Sequence, residues 1–246
     1  MNPKRLGLLA LGALLFFMTA NLKSEEPTNS PAATPTETAP APQPSSDAFM
    51  LDNMDEPAKN SVGGRNAVYQ RAPSRCSYSK SEEYGKKGAG LKLIYDKKNE
   101  GGPNNDGGFC GFYSILHKGR DDYLDISQYK YLTFWVKGEK GDEKFKIGAA
   151  DKTQAETDDS VKSPQEVGTY LPKGKITTEW QQAVVPVEEW FVDWHLMHSI
   201  SFCFEGDIFD NGIGSGIVYI DEVEMRKTKP AGESKPSLEA DKPKSE

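Results

Sequence analysis

Cysteine, histidine and excess positive charge are all scarce in this chain. Its 246 residues hold three Cys and three His, and Asp and Glu outnumber Lys and Arg by 37 to 30, for a net charge of −7. A phosphate backbone is gripped by clustered Lys and Arg, so this balance argues against a nucleic-acid partner and fits neutral or cationic ones. Three cysteines cannot build a disulfide framework; in an oxidising compartment they allow one bridge and one free thiol. Of the three pairings, Cys110 with Cys203 is favoured because both fall in well-marked strands. The histidines offer little metal chemistry. "HLMH" sets His195 and His198 three apart, but a catalytic zinc takes three protein ligands and His117 is distant, so the two read as a surface pair. Also missing are a Gly-x-Ser-x-Gly elbow, a phosphate loop and a zinc-protease helix. Carboxylates abound, as in any acidic chain, yet a glycosidase needs two at a defined separation. The chain is read as not an enzyme.

Hydrophobic residues make up 36% of the chain, too little for a wholly folded length. The ends account for the deficit. Lys4 and Arg5 precede an apolar run from Leu6 to Ala20, a positive flank followed by a hydrophobic stretch shorter than a span, as in a secretory signal. Residues 1–22 are therefore read as a signal peptide or an uncleaved signal anchor. No cysteine lies beside the run, which excludes a lipoprotein anchor. Either reading exports the rest, to the periplasm, the cell envelope or the medium, with membrane contact only through an uncleaved anchor. Residues 23–48, "KSEEPTNSPAATPTETAPAPQPSSD" and one Ala, are Pro-, Thr- and Ala-rich, have no aromatic, and cannot offset their ordering entropy; they read as a disordered linker. Residues 226–246 have the same character. Between them, residues 49–225 carry all four Trp, all three Cys and all three His. At roughly 175 residues this segment is long enough for one well-buried domain.

Within that domain the punctuation is dense. Gly and Asn/Asp clusters separate short runs of β-formers: "GLKLIYD" (90–96), "YLTFWVKG" (131–138), "KFKIGAA" (144–150), "EWQQAVVPV" (179–187), "SISFCFEG" (199–206) and "GIVYIDEVEM" (216–225). Short strands at this spacing predict an antiparallel sandwich or barrel. One or two helical turns are expected at 187–197, where Trp190, Phe191 and Trp194 fall at i, i+1 and i+4. Alternation assigns faces. In 199–205, Ile200, Phe202 and Phe204 face the core, and Ser201, Cys203 and Glu205 face outward. In 107–116, Phe109, Gly111, Tyr113 and Ile115 share one face and Cys110, Phe112, Ser114 and Leu116 the other. A strand apolar on both sides lies mid-sheet or beneath a ligand.

The order "LDNMDEP", "GLKLIYD", "GGFCGFY", "LDISQYKYLTFWVKG", "FKIGAADK", "YLPKGKITTEWQQAVVPVEEW", "SFCFEG", "VYIDEVEM" resembles bacterial jelly-roll domains of the galactose-binding type. It looks most like modules related to carbohydrate-binding family 11, and the intermediate-associated protein 30 family shares a similar pattern. The resemblance implies a sandwich of two antiparallel sheets with a sugar site on a sheet face or rim, and in many members a structural calcium between the first and last strands.

A sugar ring offers apolar C–H faces and a rim of hydroxyls, so its site needs an exposed aromatic with carboxylates or amides beside it. "GGFCGFY" supplies Phe109 and Tyr113, with Gly107, Gly108 and Gly111 leaving room. Asp151, Asp158, Asp159 and Glu205 are the candidate acceptors. The alternative makes Phe109 and Tyr113 ordinary core aromatics of a bulged strand. Calcium takes six to eight oxygens, carboxylates among them. Asp52, Asp55 and Glu56 at the start of the domain and Asp221 at its end are the candidate ligands. The leading reading is an exported, non-catalytic module that binds a polysaccharide or other glycan. The alternative is a protein–protein or assembly module on the same fold with envelope-protein partners, which the lack of an aromatic after "ADK" favours.

Overall fold

The computed structural model describes residues 46–99, 108–119 and 121–231. The expected signal segment, the linker up to residue 45, the tail from residue 232 and Gly107 lie outside the described residues. Eleven strands form: β1 (Ala48–Asp52), β2 (Asn66–Gln70), β3 (Arg75–Ser81), β4 (Gly90–Lys97), β5 (Cys110–Ile115), β6 (Tyr131–Gly138), β7 (Lys146–Asp151), β8 (Val161–Lys162), β9 (Gln181–Pro186), β10 (Met197–Phe204) and β11 (Gly214–Arg226). The first strand starts at Ala48, which pairs with Arg226.

The strands make two antiparallel sheets. One has the order β3-β4-β11-β6-β9, with β1 added to β11; the other has the order β2-β5-β10-β7-β8. Of the sandwich or barrel predicted by the strand spacing, the sandwich forms, as the jelly-roll resemblance implied. β11 is long enough to hold β4 with its first half and β1 with its second, and a bulge between Asp221 and Glu224 sits at the changeover. First and last strands are therefore neighbours.

The inner faces follow the alternation read from sequence. Leu91, Leu93 and Tyr95 of β4 meet Phe202 and Phe204 of β10, with Phe112, Phe134 and Phe145 fully buried among them. Tyr95 and Phe204 stack with centroids 3.9 Å apart, and Phe145 meets Phe202 edge-on at 5.5 Å. Burying an aromatic of this size removes 150–250 Å² from water by general experience, which makes these rings the main apolar adhesive between the layers.

Two expectations are corrected. No helix forms at 187–197. Trp190 and Trp194 do pack together, 5.8 Å apart, but through successive turns. Other segments hold this backbone: Ile126 N–H donates to the Trp194 carbonyl, and Asp193 N–H donates to Asp151. The helical turn is α1 (Lys152–Ala155) instead. Cys110 and Cys203 are not bridged; all three cysteines are free and buried. Register is the reason. Across the β5–β10 pair, Cys110 stands opposite Phe204 and Cys203 opposite Gly111, one residue out of step. Neighbouring positions point to opposite faces, so Cys110 enters the core while Cys203 lies under the outer face. Burial pushes the thiols of Cys110 and Cys203 up to about 11 and that of Cys76 to about 12, so all stay protonated and unreactive at ordinary pH.

Candidate functional site

The outer face of the five-stranded sheet carries a cleft of about 630 Å³. One bank is aromatic. β5 sits between β2 and β10, buries Phe112 inward, and leaves Phe109 and Tyr113 outward; Phe109 is 40% exposed and Tyr113 half-buried. β2 adds Tyr69, directly opposite Gly111. A Cβ on Gly111 would stand 2.5 Å from the Tyr69 Cζ and Oη atoms and 2.4 Å from the Phe202 carbonyl oxygen. Only a glycine lets the Tyr69 ring lie across β5. The ring then bridges the other two, with its centroid 6.0 Å from Phe109 and 6.5 Å from Tyr113. Because Phe109 and Tyr113 are four residues apart on an extended chain, the strip of three rings is about 13 Å long. An arginine stands at each end, Arg71 5.9 Å from the Phe109 centroid and Arg65 5.8 Å from that of Tyr113. Burial, then the nearby Cys203, pushes the Tyr69 phenol well above its ordinary value, which keeps it a neutral hydroxyl.

The floor is built of small side chains. Ser199 and Ser201 of β10 and Ala150 of β7 line it. Gly148 admits them: a Cβ there would meet Ser201 Oγ at 2.2 Å and Ser160 Oγ at 2.8 Å.

The far bank is charged. Asp158, Asp159, Ser160, Lys162 and Glu205 line it. Lys162 Nζ stands 3.4 Å from Glu205 and 3.5 Å from Asp159, tying both to one cation. Burial alone would lower Lys162, but Cys203, Glu205 and Asp159 outweigh it and hold the ammonium above its usual range. The carboxylate oxygens of this bank are hydrogen-bond acceptors, with lone pairs beyond those that Lys162 engages.

Five of the six expected ligand-binding residues thus meet in one cleft: Phe109, Tyr113, Asp158, Asp159 and Glu205. Asp151 does not join them. It is 5% exposed and caps α1, accepting from Thr153 N–H and Gln154 N–H, while its other oxygen takes Asp193 N–H. An Asp before a short helix is an N-cap first, and "ADKTQ" carried that signal. Sequence reasoning missed Tyr69, Arg65, Lys162 and His198. Tyr69 lies in "NAVYQ", a strand too short to stand out, and its place beside Gly111 exists only through pairing. His198 meets His117 across the β5–β10 end, with centroids 4.8 Å apart, rather than His195, which lies exposed near Asp125.

The four expected calcium ligands are not gathered about one point. Asp52 is buried against Lys80, whose ammonium lies 3.2 Å from both carboxylate oxygens; Asn66 and the Met54 N–H complete its partners. Burial pushes Asp52 up and Lys80 down. Asp221 accepts from the N–H groups of Lys86, Lys87 and Glu222, Asp55 accepts from the Ala89 N–H, and Glu56 is exposed. Asp55 and Asp221 thus clamp the same 86–89 loop. Among the described residues no group of three or more His, Cys, Asp or Glu is placed to hold a metal. As arranged, Asp52, Asp55 and Asp221 face N–H donors and an ammonium, and the four do not make a calcium shell.

Among solved structures, the family 11 carbohydrate-binding module from Clostridium thermocellum, in complex with a β-1,3-1,4-mixed-linked tetrasaccharide, matches at 16% identity. The match covers 73% of this chain and 95% of that one, with a TM-score of 0.54. The family 11 module of the cellulosomal cellulase Lic26A-Cel5E from the same organism matches at 15% identity over 74% and 95%, with a TM-score of 0.51. At these identities the likeness establishes the fold. A search of curated proteins found no match. The family model described as carbohydrate binding domain 30 matches residues 68–227, which hold the aromatic strip, the small-residue floor and the charged bank. By that match, which spans most of its length, the chain belongs to the carbohydrate binding domain 30 family.

Proposed function

We propose that the cleft on the five-stranded sheet binds a glycan chain, and that the protein is an exported module without catalytic activity of its own. Sugar C–H faces would stack on Tyr69, Phe109 and Tyr113, while Asp158, Asp159 and Glu205 take hydroxyl hydrogen bonds from across the cleft. The observation that carries this reading is the Gly111 floor. It costs the β5 strand a side chain and gains a tyrosine ring set between two other rings, facing carboxylates across the cleft. A core needs no such arrangement on its solvent side. The positively flanked apolar run at the N-terminus supports export.

Because a family 11 relative was solved with a mixed-linkage tetrasaccharide, mixed-linkage β-glucan is the first probe. Tyr69→Ala is expected to weaken binding by about 1–3 kcal/mol, roughly 5- to 150-fold, as other base or sugar stacking contacts do. Titration calorimetry of wild type and variant reads the loss. Absence of binding to β-glucans, mannans and galactans alike, or a protein partner that free sugars do not displace, would overturn the reading.

A further inference from the structure

The six-stranded sheet also turns aromatic rings to solvent, and it does so around lysines. Lys92 of β4, Tyr219 of β11 and Lys137 of β6 stand side by side in register. Tyr84 lies 5.8 Å from Tyr219. Lys92 Nζ is 5.0 Å from the Tyr84 centroid and 5.8 Å from that of Tyr219; Lys137 Nζ is 5.0 Å from both Trp180 and Tyr219. Nearby, Lys86 Nζ is 3.9 Å from the Trp135 centroid. All four rings are partly exposed. Among the described residues Lys86, Lys92 and Lys137 enter no ion pair. Tyr219 donates its hydroxyl to Glu139, which fixes the central ring.

The pattern is unusual for an outer sheet face, which is ordinarily covered by scattered polar groups of both signs. Here unpaired ammonium groups are held over ring faces on a chain whose net charge is −7. An ammonium over a ring is partly desolvated and its long side chain already ordered, so less entropy is lost when an anion meets it. The rings beside it offer flat apolar area to C–H groups. Lys92 and Lys137 are two strands apart, about 10 Å, so a chain lying across the strands presents successive charges to both. The ligand this face fits carries carboxylates and apolar ring faces along one chain. A phosphate polymer fits less well, because the rest of this acidic surface repels its dense charge.

We propose that this face is a second carbohydrate site, separate from the cleft, that takes an acidic polysaccharide of uronate sugars. The test is affinity electrophoresis of the full chain through gels containing polygalacturonate at low ionic strength, with mixed-linkage β-glucan and polyglutamate gels alongside. Polygalacturonate is expected to retard the protein, added salt to relieve the retardation, and Lys92→Gln with Lys137→Gln to weaken it about tenfold. Tyr69→Ala should leave this retardation unchanged, and the lysine pair should leave β-glucan retardation unchanged, with melting curves confirming that each variant is folded. No retardation by polygalacturonate, equal retardation of wild type and the lysine pair, or loss of retardation in Tyr69→Ala would each overturn the proposal. Equal retardation by polyglutamate, which has carboxylates but no sugar rings, would overturn it too.

Discussion

The two outer faces of the sandwich use the same residues to opposite effect. On the five-stranded sheet, Tyr69 lies over Gly111 and the floor beside it is serine, alanine and glycine, so a cleft opens beside the rings, with Arg65 and Arg71 only at the ends of the strip. On the six-stranded sheet, Tyr219 stands between Lys92 and Lys137, so the central ring is flanked by a long cation on each side and no cleft opens over it. The difference teaches that an aromatic residue does not make a platform by itself. Its cross-strand neighbour decides, because that side chain is only about 5 Å away and must either clear the ring or crowd it. A glycine clears it, at the cost of backbone entropy. A lysine crowds it, for a cation–π gain of about 1 kcal/mol.

The largest test of this contrast lies at β5 and the residue that leads into it. Phe112→Ala removes a fully buried ring and is expected to cost about 3–5 kcal/mol of stability. Phe109→Ala, three residues earlier on the outer face, is expected to cost no more than about 1 kcal/mol while weakening glycan binding. Urea denaturation of both variants reads the difference. Equal losses would return Phe109 to the core and remove the aromatic bank.

Lysines give a second contrast of nearly the same size. The Lys80 side chain is 1% exposed and lies against a buried Asp52. Lys80→Ala strands that carboxylate and is expected to cost about 3–5 kcal/mol. Lys92→Ala, on the solvent side, should stay within about 0.5 kcal/mol. If thermal or urea melts find the two alike, the Asp52–Lys80 pair is not the buried anchor of the first strand described above.

Next comes the glycine. Gly111→Ala places a methyl against the Tyr69 ring and the Phe202 carbonyl. Stability is expected to fall by about 1–3 kcal/mol, as for other overpacked sites, and glycan affinity to fall with it as the ring is lifted. Full β-glucan affinity in this variant would mean that the bare glycine is not what shapes the platform.

The smallest effect falls on His198. Burial, with His117 and Arg65 close by, holds His198 below its ordinary value of 6.5. Below pH 6.5 the unfolded chain then binds more protons than the folded one, so stability is intact above 6.5 and declines as pH falls through the folded value. His198→Gln should flatten that part of the stability–pH curve. Urea midpoints at pH 7.5 and pH 5 check it.

Much of this architecture was legible from one dimension. Alternation in "SISFCFEG" and "GLKLIYD" placed Phe202, Phe204, Leu91 and Leu93 inside, because side chains on an extended chain must alternate and apolar faces must be buried. The same rule turned Phe109, Tyr113 and Glu205 outward, and five of the six expected site residues share the cleft. A local signal also existed for Asp151, which caps α1 with Gln154 three residues on, although Asp125 and Gln128 have the same spacing and open no helix.

What alternation cannot carry is which strands become neighbours. Composition, spacing and period determined an all-β sandwich or barrel, its core face, and a set of outward aromatics and carboxylates. Pairing decided the rest. The β2–β5 register put Tyr69 over Gly111, and the one-residue stagger of Cys110 and Cys203 across β5–β10 sent the two thiols to opposite faces. The fold around β3 gave Asp52 an ammonium from Lys80 in place of further oxygens. These outcomes rest on contacts between residues tens of positions apart, whose geometry follows from sheet order and twist rather than from any local preference.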